Sequence, residues 1–322
     1  MDKKQQIIDL WRTSFNDSDE FIKLFFDRVY NKDNVLTIEK DGKIISALQV
    51  LPYTMTYYGT EISVAYIYAA CTLPSERGKG LMRQLLQNAF EVMKYRKYAL
   101  TAIIPADPWL FDYYREAGYT EAFDYSEETY IRPEKPVWEP YLTVVTPEVP
   151  SVDSLYEFFN RKLRERTCCM LHTYDDFITI LRDIQLSGGQ VLTALNDEEK
   201  PVGMAFIRPH DKDKPILQEN KSVYITELLY DDAHVQKLLL QEATLQNNVS
   251  KAIYRTPFLG PGTYPLGMAC VLDRDRLIHH WASTHENSVL DIGELKKMDT
   301  QSLTRILLDY QSREAYMSLM LD

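Results

Sequence analysis

Positive charge is in short supply: 36 Lys and Arg stand against 47 Asp and Glu, a net charge of −11 over 322 residues. A chain this acidic lacks the electrostatic footprint that draws nucleic acid or an anionic membrane, and neither is expected as a partner. The same surface suits a cationic amine. Cysteine is scarce as well. Cys71, Cys168, Cys169 and Cys270 include one adjacent pair but no C-x-x-C spacing of a zinc or redox site. His172 follows Cys169 by three residues without a second such pair, so the cysteines read as small buried hydrophobes and no metal is expected. No apolar run reaches the roughly 20 residues that span a bilayer. No basic-then-apolar leader opens the chain, and the expected location is cytoplasmic. The G-x-S-x-G elbow of a covalent serine mechanism is missing too, and His172, His210, His279 and His280 stand in no nucleophile or metal arrangement.

What is present is enough for about two domains, with 45% hydrophobic residues to build their cores. The most informative stretch is Arg77-Gly78-Lys79-Gly80-Leu81-Met82. It follows an extended apolar run, Tyr66 to Pro74, and precedes a segment with apolar residues at Leu81, Leu85, Leu86, Ala89, Phe90 and Met93. That pattern reads as strand, tight glycine loop and helix. A glycine turn at a helix N-terminus gathers unpaired N–H groups where the dipole is positive, which is a phosphate site. Arg77, Lys79 and Arg83 add formal charge. A nucleotide P-loop would need Ser or Thr after the lysine, where Gly80 stands, and a dinucleotide loop would need a third glycine where Arg83 stands.

The segment closely resembles the pyrophosphate loop of the GNAT acyltransferases, Arg/Gln-x-x-Gly-x-Gly/Ala. Arg77 and Gly80 match, and Met82 replaces the last small residue, a departure that looks like the enhanced-intracellular-survival (Eis-type) branch. Further on, an apolar strand Tyr98–Ile104 is stopped by Pro105, a short helix starts near Pro108, and Tyr114-Arg-Glu-Ala-Gly118-Tyr119 follows. In GNAT enzymes the matching Tyr-x-x-x-Gly-Phe/Tyr puts a phenol beside the acyl-CoA sulfur. The resemblance therefore covers strand, loop, helix, strand and helix in order, Tyr66 to Phe123. It implies acetyl-CoA as co-substrate, held by the strand Cys71, Thr72, Leu73 and the loop Arg77, Gly78, Lys79, Gly80, Leu81, Met82, with Tyr114 as general acid. A phenol of pKa near 10 is protonated at neutral pH and can donate to a thiolate.

The chain reads as the same domain twice. Val35–Ile38 with Ile44–Ala47, joined by a turn at Asp41-Gly42-Lys43, is matched by Val191–Ala194 with Val202–Ala205. Leu85-Leu86-Gln87-Asn88-Ala89 is matched by Leu239-Leu240-Gln241-Glu242-Ala243. Where the first copy has its glycine loop, the second has Asp231-Asp232-Ala233-His234, whose carboxylates would repel a pyrophosphate. The expected fold is α/β: two tandem GNAT-like domains, mixed sheets flanked by helices, plus a short C-terminal segment. The expected units are a catalytic domain at 1–135, a Pro-rich linker at 136–150, a degenerate second copy at 151–262, and a closing segment at 263–322 after Gly260-Pro261-Gly262. That last part resembles, weakly, the end of Eis-type proteins; no sterol-binding role is carried over.

The chain closes with Ala315-Tyr-Met-Ser-Leu-Met-Leu-Asp322, apolar almost to its last residue, where a free terminus is ordinarily polar. Insertion into the protein would explain that. In Eis-type enzymes the terminal carboxylate reaches the first domain and helps deprotonate the acceptor, so Asp322 is the expected base. Asp107, Asp112, Asp124, Glu127 and Glu128 lie near the second strand and read mostly as solvated faces. The resemblance implies direct transfer of an acetyl group to a primary amine of a small molecule or peptide, in a chain whose relatives form homo-oligomers. Two rivals stand beside it: transfer from aminoacyl-tRNA, disfavoured by the intact CoA loop and the absence of a basic face, and a non-catalytic acyl-CoA-sensing module.

Overall fold

The computed structural model describes residues 2–135, 139–146, 151–209, 222–257, 263–312 and 315–321. Three residues of the expected linker (136–138), its end (147–150), His210, the Gly260-Pro261-Gly262 turn and Asp322 lie outside them.

The chain opens with two amphipathic helices, α1 (Lys3–Ser14) and α2 (Asp19–Arg28), the second capped by the Ser18 hydroxyl. Three antiparallel strands follow, β1 (Val35–Lys40), β2 (Lys43–Tyr57) and β3 (Thr60–Thr72). Helix α3 (Leu81–Tyr95) crosses over to β4 (Leu100–Ile103), parallel to β3, and α4 (Pro108–Glu116) leads to β5 (Thr120–Ile131). After β6 (Thr143–Val145) come α5 (Val152–Arg164), β7 (Met170–Leu171) and α6 (Tyr174–Leu186). Then β8 (Gln190–Leu195), β9 (Pro201–Arg208), β10 (Ser222–Tyr230), α7 (Ala233–Gln246) and β11 (Lys251–Thr256) repeat the plan of β1 to β4. The chain ends with β12 (Thr263–Val271), α8 (Arg274–Thr284), α9 (Ile292–Lys297), α10 (Thr300–Leu307) and an irregular tail.

The repeat is visible in the pairing. In the first unit β3 and β4 match in parallel over Val64↔Leu100 to Ile67↔Ile103, and in the second β10 and β11 match over Ser222↔Lys251 to Ile225↔Tyr254. The two units share one sheet, ordered β1-β2-β3-β4-β12-β5-β11-β10-β9-β8-β6. Strand β5 joins them: its first half pairs β12 and its second half pairs β11. The strand of the closing segment is not an appendage. Met268–Val271 of β12 pair β4, so residues that follow the second unit complete the sheet of the first.

Sheet faces explain the cores. Leu48, Val50, Ala65 and Ile67 pack beneath α3 and α4 with Tyr114 and Tyr119, while the alternate residues Leu51, Met55, Val64 and Tyr66 face α1, α2 and the closing helices. The period of two along β2 and β3 divides one strand between two cores. The four cysteines are buried, and none of them is in a disulfide. Among the described residues no helix is long and apolar enough to cross a membrane.

Candidate active site

The site is built where β3 and β4 part. Four residues of parallel pairing hold them together; beyond Ile67 and Ile103 strand β4 stops, while β3 continues to Thr72 along β2. A bulge enforces the divergence. Ala47 faces Cys71 and Gln49 faces Tyr68, so Ala69 and Ala70 oppose Leu48 alone, and Ala69 takes a φ of 49°. An extra residue in one strand bends it and turns its backbone away from the neighbour. The resulting cleft has a volume of about 340 Å³. Its walls are Tyr66 to Ala70 on one side, Ile103, Ile104 and Ala106 on the other, with Leu110 and Tyr114 of α4, Trp11 of α1, and Phe15, Asn16 and Asp17 of the α1–α2 connection.

At the end of the long arm, a short 3₁₀ turn, Pro74–Glu76, delivers the chain into the glycine loop. Gly78 and Gly80 have φ of 76° and 75°, values that cost an L-residue conformational strain. A Cβ at either position would meet nothing within 4 Å, so packing is not what requires glycine there. The loop is open to a ligand. Gly80 is the N-cap of α3 and offers no side chain to the first-turn amides, whose helix gives them no acceptor. The Arg77 guanidinium donates back to the Thr72 carbonyl at 3.0 Å, tying the loop to the strand. Lys79 pairs with Glu76 at 2.7 Å and Arg83 with Glu116 at 2.5 Å. Lys79, Arg83 and Glu116 are exposed and Glu76 partly so, and pairs at the surface are weak enough to exchange partners with an arriving anion. The Lys79 and Lys40 ammoniums hold the Glu76 carboxyl below its usual range.

The second unit differs at the equivalent helix. Asp232 caps α7, its Oδ1 accepting from the amides of His234 at 2.8 Å and Val235 at 3.0 Å, while Asp231 pairs with Arg161 and Lys162. A carboxylate of the chain itself fills the anion position that the first unit leaves open.

Tyr114 is 5% exposed in the cleft wall, in one core cluster with Ile103 of β4 and Tyr119. Burial, with a smaller contribution from Tyr113, raises its phenol above the ordinary value, so the proton is held throughout the neutral range. Gly118 ends the helix with a φ of 103°. Tyr119 is fixed behind it, its hydroxyl 3.0 Å from Thr101 Oγ1. Cys71, Thr72 and Leu73 lie along the diverging arm. Burial pushes the Cys71 thiol up to about 12, and it is a neutral packing group.

The tail reaches this place. Leu321 is 6% exposed, and its carbonyl accepts from the Tyr66 hydroxyl at 3.1 Å; Tyr66 is a wall of the cleft. Asp322 is the next residue and lies outside the described ones. The other carboxylates are mostly engaged. Asp112 pairs with Arg115, Glu127 accepts from Tyr224 at 2.7 Å, and Glu128 accepts from Tyr254. Asp124 is buried and accepts from Tyr310, which corrects its reading as a solvated face. Sequence reasoning missed the wall formed by Trp11, Phe15, Asn16 and Asp17, where the indole donates to Asp17 Oδ2 at 2.7 Å. Trp11 carries only the signal of an apolar helix face, and nothing in its spacing tells a core from a cleft.

A sheet splayed after a parallel pair, with a glycine loop opening a helix at the end of the splayed strand, is the GNAT arrangement. A family model described as the acetyltransferase (GNAT) domain matches residues 1–122. The first 122 residues thus carry a match to the GNAT acetyltransferase domain. Solved structures extend the likeness across both units. One is a probable N-acyltransferase from Enterococcus faecalis, 16% identical, with a TM-score of 0.65 over 84% of this chain and 70% of that one. Another is a GCN5-related N-acetyltransferase from Anabaena variabilis, at 14% identity and a TM-score of 0.68, covering 85% and 71%. Eis1 from Mycobacterium abscessus is similar at 12% identity, with a TM-score of 0.60 over 81% and 72%. Over most of its length the chain is therefore similar in fold to GNAT proteins, Eis1 among them. No curated protein matches the sequence.

Proposed function

We propose that the protein is an acetyl-CoA-dependent N-acetyltransferase acting on a primary amine, with its one acyl-CoA site in the first unit. The observation that carries this reading is an uncapped glycine loop at the end of the same splayed strand whose earlier residues wall a cleft with a buried, protonated phenol. The residues fit the co-substrate: the open Cα positions of Gly78 and Gly80 admit a pyrophosphate close to the amides of Leu81 and Met82, and the arm Cys71–Leu73 offers its backbone to an extended pantetheine.

The chemistry needs a neutral amine, donors for the oxyanion and a proton near the departing sulfur. The amine nitrogen attacks the thioester carbonyl, the C–N bond forms and the C–S bond breaks. Tyr114 donates toward the sulfur. Its raised pKa is not a handicap, because a thiolate released in the same buried cleft is equally reluctant to stay charged. Asp322, following the anchored Leu321, is the proposed acceptor of the amine proton. The second unit is a degenerate copy that binds no acyl-CoA, since Asp232 takes the anion position.

The deciding experiment is calorimetry with acetyl-CoA followed by thiol release with a panel of amines: diamines, amino sugars and peptides. One molecule bound per chain and turnover with a member of the panel supports the reading. Two bound molecules per chain, or binding with no turnover across the panel, overturns it.

A further inference from the structure

The second unit also has a cleft, and something already lies in it. Strand β10 runs on to Tyr230 after its parallel match with β11 ends at Ile225 and Tyr254, and a bulge at Thr226 turns it outward as the Ala69 bulge does in the first unit. Against the splayed arm lies the tail. Ser318 Oγ donates to Glu227 Oε2 at 2.5 Å, and Met317, Leu319 and Met320 line a residual space of only about 60 Å³ with Thr226 and Arg255.

The grip on this segment is polar and buried. Glu227 is 1% exposed and receives the Arg166 guanidinium at 2.9 and 3.3 Å. Burial opposes the Arg166 charge, but Glu227 outweighs it and holds the guanidinium protonated. The same guanidinium lies 5.0 Å over the Tyr316 ring. On the other side, His172 Nε2 donates to the Ser318 carbonyl at 2.6 Å, and its Nδ1 is buried without a hydrogen-bond partner, as a neutral ring's acceptor nitrogen can be. Ser318 is thus held by its side chain and its backbone at once. Upstream, Tyr316 is bracketed by the backbone of Cys168 and Met170.

A buried ion pair is a poor way to gain stability, since apolar residues of the same volume generally do as well or better. What it provides is direction. A hydroxyl donating to a buried carboxylate has one acceptable place, whereas the methionines around it could slide. Three residues beyond Ser318 comes Leu321, whose carbonyl accepts from Tyr66, a wall residue of the first cleft. The clamp in one unit therefore sets the reach of the chain into the other.

We propose that the cleft of the second unit is a receptor for the chain's own closing segment, and that Glu227, Ser318 and His172 are positioning residues that set the register at which the tail enters the first cleft. The catalytic half of this rests on the function proposed above; the clamp does not.

Ser318→Ala removes one hydroxyl, and Glu227→Gln keeps the shape while removing the charge. Amide exchange over residues 316–321 should rise at least ~10-fold in both full-length variants, reporting local opening of the tail. Exchange in β10 and α5 should stay native in Ser318→Ala, which serves where Glu227→Gln folds poorly. Thiol release should fall about 10-fold in kcat with unchanged acetyl-CoA affinity, the signature of a lost positioning contact. Ser318→Thr, which restores a hydroxyl, should recover part of the rate. Native exchange in the tail of Ser318→Ala overturns the clamp. Faster exchange with native kcat overturns the positioning role. A wild-type chain that turns over no amine overturns the proposed function instead, and the exchange result still decides the clamp.

Discussion

The Tyr66 hydroxyl donates to the carbonyl of Leu321 across 255 residues of sequence, at 3.1 Å and out of contact with water. One partner stands on the strand that opens the first cleft, the other in the tail anchored on the second unit. Tyr66→Phe removes the donor and leaves a buried carbonyl short of a partner, at a cost of about 1–3 kcal/mol. Urea unfolding should report that loss. Turnover should fall with it while acetyl-CoA affinity holds, because the affected end of the cleft is not the loop.

Gly80→Asp puts a carboxylate at the head of α3 and an L-residue at a φ of 75°. It should abolish acetyl-CoA binding in calorimetry. Ala233→Asp, beside the carboxylate already capping α7, should leave affinity within experimental scatter. Equal effects from the two changes would mean that the second loop also takes part.

Tyr114→Phe keeps the ring in its packing and deletes the proton donor. Folding and acetyl-CoA affinity should persist while kcat drops by roughly 10²–10⁴. A native rate would move the role to water or another group in the cleft.

Asp322→Asn should lower kcat and flatten the acid limb of the pH–rate profile if the side chain is the base. Where Asp322 closes the chain its α-carboxylate competes for that role. Adding a few polar residues after it displaces that group alone, so comparing the two variants assigns the base to one carboxyl or the other.

His172 titrates against the fold. Burial lowers its pKa below the usual value, partly offset by Asp176, its contact with the Ser318 carbonyl and Glu227. In the unfolded chain it takes up a proton near pH 6.5, in the folded chain only at lower pH, so the unfolded state binds more protons between the two. Its contribution to stability is present above about pH 6.5 and is lost as pH falls toward the folded pKa, with a slope of at most about 1.4 kcal/mol per pH unit. His172→Gln should remove that part of the slope in denaturation measured from pH 7 to 5.

Local chemistry made much of this protein legible. Alternation along Val35–Ile38 and Ile44–Ala47, the 3.6-residue period from Leu81 to Met93, and the glycines at 78 and 80 each declare their element through near neighbours in the chain. The loop, the candidate acid and the repeat could therefore be named from spacing, as could the acidic replacement at Asp231 and Asp232. Contacts between distant parts of the chain could not. Nothing near Thr263 says that its strand pairs with β4, more than 160 residues earlier, rather than closing a domain of its own. Nothing in Trp11 or Asp17 marks them as cleft walls, and Glu227 reads as one more surface carboxylate until Arg166 and Ser318 converge on it. The sequence alone determined that a glycine loop at a helix head and an apolar tail exist, because backbone conformation and hydrophobic period are local properties. Only the tertiary structure decided that the tail runs from Glu227 in the second unit to Tyr66 in the first, because burial of a carboxylate depends on what the whole sheet brings around it.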